Sequence, residues 1–159
     1  MKNFGVSSST VLTNTEKPYI YEVTFTRAKE FEPDIAVVML GTNDARVDYF
    51  KSIDNFVKDY LILIYELEVL KSDPQIFLVK PPPILNNTFS LENKNMVDGI
   101  IPRIEQIADE NGLLIIDVYS ALKNHPEYFS DDGVHPNSQG AATIANTVYN
   151  AITNSMEAS

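Results

Sequence analysis

A few small polar residues and two histidines carry the chemistry open to this sequence. His135 stands in Asp131-Asp132-Gly133-Val134-His135-Pro136, three residues after Asp132. A turn at that spacing brings a carboxylate to an imidazole. It holds the ring in one tautomer and stabilises it when protonated, as a general base requires. Asp-Gly followed by His-Pro is also good turn chemistry, so spacing alone leaves a plain surface turn open. His125, in Asn124-His125-Pro126, has no carboxylate at similar spacing and reads as a residue without catalytic work. Asn43 lies in Gly41-Thr42-Asn43-Asp44. Its amide is able to stabilise a developing oxyanion, and Gly5 is able to offer a backbone N–H beside it. An Asn-Asp turn or helix entry accounts for the same residues without chemistry.

These residues need elements to place them. Ile35 to Leu40 is an unbroken apolar run between Pro33-Asp34 and Gly41. It reads as a parallel strand buried on both faces, with Asn43 and Asp44 at the carboxyl end where ligands of open α/β sheets bind. Ile76 to Val79 is a second strand, closed by Pro81-Pro82-Pro83, and Leu113 to Ile116 a third, ending at Asp117. A short helix is expected over Arg27 to Phe31, before Pro33. Another runs from an N-cap at Ser52 to about Lys71, with Phe56, Val57, Tyr60, Leu61, Ile64 and Leu67 at helical spacing. Leu91 to Asn111 is a third, loosened at Pro102 and stopped by Gly112. The last covers Ser138 to Asn154, with Ala141, Ile144, Ala145, Val148, Tyr149 and Ile152 facing inward. Residues 7–18, 86–90 and 131–137 read as loops, and residues 120–129 as irregular or helical. Strands alternating with helices imply βαβ units and a parallel sheet covered on both faces, in one domain over residues 1–159.

Composition narrows the function classes. The 159 residues are 44% hydrophobic and 21% charged, ordinary for a globular domain. Twelve basic against 22 acidic residues give a formal charge of −10, which disfavours nucleic acid and anionic membrane surfaces as partners. The absence of cysteine removes disulfides and thiolate nucleophiles. No run approaches a membrane span, and Met1-Lys2-Asn3-Phe4-Gly5 has no apolar signal core; the compartment stays open.

Gly5 within Asn3-Phe4-Gly5-Val6-Ser7, then Gly41-Thr42-Asn43-Asp44, then Asp132-Gly133-Val134-His135-Pro136 resemble, in order and separation, blocks II, III and V of the SGNH (GDSL-type) hydrolase family. The resemblance runs from Lys2 to about Ile152 and is closest to the carbohydrate-acetylesterase-like branch. It implies a three-layer α/β/α sandwich with a flavodoxin-like parallel sheet. It also implies His135 as base, Asp132 as its orienting carboxylate, and Gly5 and Asn43 as oxyanion-hole donors, with Gly41 and Asp44 in support. No metal or organic cofactor is implied, and the substrate class is a small ester or acylated sugar.

One part of the pattern does not match. The family's nucleophilic serine sits in a Gly-Asp-Ser block after the first strand, and no Gly-Asp-Ser occurs in this sequence. Only four residues precede Gly5, so the expectation is an N-terminal truncation that removes a βα segment of roughly 30 residues. That strand lies inside the family's sheet. Its loss is expected to leave strand edges unpaired, at about 1–3 kcal/mol for each orphaned buried group, and to favour self-association through them. Ser7, Ser8 and Ser9 are weak substitutes for the nucleophile, and Ser8 stands where relatives often have glycine. Three readings follow: a serine-type ester hydrolase of the deacetylating kind, a non-catalytic carbohydrate-binding remnant, or a fragment that needs a partner strand.

Overall fold

The computed structural model describes residues 1–86 and 88–157. Three parallel strands form one sheet: β1 (Ile35–Val38), β2 (Gln75–Lys80) and β3 (Leu114–Asp117), in the order β1-β2-β3. Val38 pairs with Leu78, and Leu78 with Ile115, so the strands end close together at their carboxyl ends. The central strand β2 is buried over Ile76, Phe77, Leu78 and Val79. Its side chains alternate between two cores, as the period of a strand requires. Ile76 and Leu78 join a core built with α2 (Phe56–Glu68) and α4 (Ile101–Asn111). Phe77 and Val79 join a second core built with α5 (Val118–Leu122) and α6 (Ser138–Glu157). The result is an α/β/α sandwich, with the strand order of one side of a flavodoxin-like sheet.

The helices begin and end for local reasons. The first helix, α1, spans Val23–Glu30 and so starts earlier than expected, although Pro33 closes the segment as anticipated. Ser52 is not an N-cap: it sits at φ −105° inside a 3-10 segment, Tyr49–Asn55, and its hydroxyl accepts from Asn14. Helix α2 instead grows out of that 3-10 segment without a side-chain cap. The long helix expected over Leu91 to Asn111 is three pieces: α3 (Asn93–Asn95), a π-helical stretch (Met96–Ile100) and α4. Pro102 has no N–H to give, and the widened turn lies just before it, where a carbonyl would otherwise lack its donor. Gly112 closes α4 at φ +65°. Among the described residues no helix is long and apolar enough to cross a membrane. Asn87, in the expected 86–90 loop, lies outside the described residues.

Two expectations of burial are corrected. β1 is not buried on both faces, since Val37 is 40% exposed and Met39, just beyond the strand, 41%. β1 and β3 are both edges of a three-stranded sheet, so only β2 has neighbours on either side. On α6, Ile144, Val148 and Ile152 pack on the second core, while Ala141 and Ala145 are exposed and Tyr149 is 68% exposed. The helix carries two adjacent apolar stripes, and a sheet this narrow covers one of them.

Candidate active site

The turn after β1 is shaped by Gly41. Its φ of +119° suits no L side chain, and an added Cβ would lie 2.7 Å from Ile100 Cγ2. The chain then enters a 3-10 turn, Asn43–Ala45. Asn43 Nδ2 donates to the Ser9 carbonyl at 2.8 Å. An amide nitrogen has two hydrogens, so one remains for a ligand. Asp44 turns the other way and is fully buried, accepting the N–H groups of Val11 at 3.1 Å and Leu12 at 2.8 Å. Burial pushes its carboxyl up to about 6, against the pull of those backbone hydrogen bonds. Asp59, on the core face of α2, accepts both the N–H and the hydroxyl of Thr13, at 2.8 and 2.9 Å. Two buried carboxylates thus hold the loop after Ser9, Asp44 from the turn after β1 and Asp59 from α2.

The other wall is the loop before α6. Asp132 Oδ1 accepts the N–H groups of Val134 and His135 at 2.8 and 2.9 Å, and Oδ2 meets His135 Nδ1 at 2.7 Å. These hydrogen bonds, the backbone N–H of His135 first, hold the Asp132 carboxyl down to about 2. With Asp132 ionised, Nδ1 carries the proton and Nε2 is left with a lone pair. The imidazole is 65% exposed and faces the cleft. Gly133 permits the tight turn: its φ is +67°, and a Cβ there would run into Asn86. His125 does find a carboxylate, Glu127 at 2.9 Å, and stacks on Tyr128, but it does not line this cleft.

Between these walls lies a cleft of about 800 Å³. His135, Asn43, Ser7 and Ser8 all line it, together with Arg46, Tyr49 and Phe89. Asp132 stands behind His135, while Gly41 and Asp44 support the Asn43 turn from below. Gly5 and Ser9 are not brought to the cleft wall. The Gly5 N–H is donated to Asn3 Oδ1 at 2.8 Å, and the buried Ser9 hydroxyl donates to the Val6 carbonyl at 2.8 Å. Ser8 is exposed at φ +64°, a conformation glycine adopts without strain. Arg46, Tyr49, Phe89 and Asp59 are absent from the sequence expectations. Asp59 alone leaves a trace there, as a carboxylate on the apolar stripe of α2 between Phe56 and Leu63. Among the described residues no three His, Asp or Glu side chains come close enough together to hold a metal ion.

The model of the GDSL-like Lipase/Acylhydrolase family matches residues 1–143. The chain belongs to this family. An acetylxylan esterase of Xylanibacter ruminicola is 31% identical over 96% of this chain. The match covers 35% of that protein, so the chain spans about a third of the relative's length. Among solved structures, a lipase/acylhydrolase from Enterococcus faecalis superposes with a TM-score of 0.69 at 20% identity, covering 82% of this chain and 69% of the other. An acetyl esterase mutant solved with an acetate ion gives a TM-score of 0.68 at 20% identity, covering 92% of this chain and 78% of the other. These likenesses establish the fold as that of the SGNH hydrolases.

Proposed function

We propose that this chain, acting as one domain over residues 1–159, belongs to a serine-type carboxylic ester hydrolase that removes acetyl groups from carbohydrate. The observation that carries this reading is the Asp132–His135 pair, 2.7 Å apart, in one cleft with an Asn43 amide that keeps a spare hydrogen. In the reaction a hydroxyl attacks the ester carbonyl and gives its proton to His135 Nε2, while Asp132 stabilises the resulting imidazolium. The carbonyl oxygen becomes an oxyanion that accepts from Asn43. His135 then protonates the departing sugar alcohol. A water activated by the same base cleaves the acyl intermediate, and the acid is released. Membership of the acylhydrolase family and the acetylxylan esterase relative support acetylated sugar as the substrate class.

Gly-Asp-Ser does not occur in the sequence, and Ser7 and Ser8 are the serines on the cleft wall. That observation favours a second reading, a carbohydrate-binding domain without turnover. Hydrolysis of p-nitrophenyl acetate and of acetylated xylo-oligosaccharide, by wild type and by Asn43→Ala, His135→Ala and the Ser7→Ala/Ser8→Ala double variant, separates the two. The hydrolase reading expects turnover that falls in the first two variants. Turnover that survives both would sink it. Saturable binding of the oligosaccharide without any turnover would select the second.

A further inference from the structure

Phe89 is held in the cleft mouth at a cost that its own packing does not repay. Its backbone lies at φ +61° and that of Ser90 at φ +59°, so two consecutive non-glycine residues occupy the left-handed region. Each such residue is strained, because its β-carbon crowds the following carbonyl oxygen there. The side chain recovers little by burial, because it is 59% exposed. The turn that carries it is nevertheless tied at both ends. Thr88 Oγ1 donates to the Asp132 carbonyl at 2.8 Å, and the Ser90 carbonyl accepts the Val47 N–H at 3.1 Å. One tie goes to the loop of the base and the other to the segment that follows Asn43. The Phe89 ring is therefore held over the cleft, its centroid 6.1 Å from that of His135 and the two planes 77° apart.

We propose that Phe89 is a substrate-positioning residue that stacks against the sugar ring of an O-acetylated carbohydrate and sets its ester beside His135. A pyranose has an apolar face of C–H groups with hydroxyls round its rim. Such a face suits the electron-rich face of an aromatic ring, whose partial negative charge attracts the C–H hydrogens. The acyl group is small and offers a cleft of about 800 Å³ little to grip, so an alcohol-side contact must carry orientation. Arg46, also on the cleft wall, donates to Asp48 and the Tyr49 hydroxyl and has further guanidinium N–H groups of the kind that sugar hydroxyls accept. This inference rests on the ester-hydrolysis reading for its substrate, but it is read through binding.

The test is calorimetric titration of the intact chain with acetylated xylotriose, using wild type, Phe89→Ala, Phe89→Gly and Phe89→Trp, each with a thermal melt. Phe89→Ala and Phe89→Gly are expected to bind about tenfold more weakly, equivalent to ~1.4 kcal/mol, and Phe89→Trp to restore binding. Phe89→Gly is expected to melt at or above the wild-type temperature because it relieves the left-handed strain. Where turnover is measured, KM for the oligosaccharide rises in Phe89→Ala by about the same tenfold. Equal affinity of Phe89→Ala and wild type would overturn the proposal, as would a wild type that shows no saturable binding. Failure of the hydrolysis reading appears separately, as turnover insensitive to His135→Ala.

Discussion

The carboxylate that orients His135 binds it within one loop, whereas the wall made by Val6, Ser7 and Ser8 is tied to other segments, with Lys17 Nζ donating to the Ser7 carbonyl and Asn43 Nδ2 to the Ser9 carbonyl. On the first, Asp132 Oδ1 accepts two backbone N–H groups while Oδ2 meets the imidazole. On the second, the Gly5 N–H goes to Asn3 and the Ser9 hydroxyl to Val6, and Val6, Ser7 and Ser8 line the cleft. Asn43 belongs to both, since one of its hydrogens supports the Ser9 carbonyl and the other is free. The contrast teaches that a base and its orienting carboxylate are a local device, made by a turn. An oxyanion hole and a nucleophile must instead be assembled from distant segments.

Substitutions can break or sharpen that contrast. The largest effect is expected at Asp132. Asp132→Asn reverses the tautomer preference of His135 and should lower kcat for acetyl ester hydrolysis by about 10³–10⁴-fold. Asn43→Ala removes the proposed oxyanion donor and should cost about 10²–10³-fold in kcat with little change in KM, measured on the same substrate. Asp44→Ala acts on stability instead. It strands the buried N–H groups of Val11 and Leu12, and a loss of about 2–4 kcal/mol is expected in denaturant titration. The smallest effect is expected at Gly5. Gly5→Ala should change activity less than about twofold, because its N–H is already spent on Asn3. A large loss there would show that this wall rearranges when substrate binds.

Acid pH separates the carboxyls of Asp44 and Asp132 by sign. The folded-state value of Asp44 is raised to about 6, above its ordinary value, so the folded protein binds more protons than the unfolded chain between about 4 and 6. Its contribution to stability therefore falls as pH rises through that window, and Asp44→Ala should flatten the dependence. Asp132 is depressed to about 2, so its contribution is present above about 4 and is lost only as pH falls toward 2. Thermal melts of both variants at a series of pH values check the two signs.

Much of this architecture was legible because its causes are local. β2 ends where three prolines begin, Gly112 stops α4, and the widened turn lies beside Pro102. Asp132 and His135 are three residues apart, a spacing a turn closes unaided. The Asn3–Gly5 bond is local in the same way, because an Asx side chain two residues before an N–H competes for it. What was not legible depends on distant partners. Thr13 and Asp59 are joined by the fold alone, and nothing in the residue types of Phe89 and Ser90 announces a left-handed backbone. On α6 the choice between stripes rested on the width of the sheet, which no helical period contains.

In the proposed reaction His135, oriented by Asp132, is the base of an ester-hydrolysing cleft. The most direct test of that role is acetate release from acetylated xylo-oligosaccharide by wild type and His135→Ala, with matched melting curves for the two proteins. The account predicts that His135→Ala melts like wild type and loses about 10³-fold or more of the turnover. Acetate released at the same rate by both would contradict it.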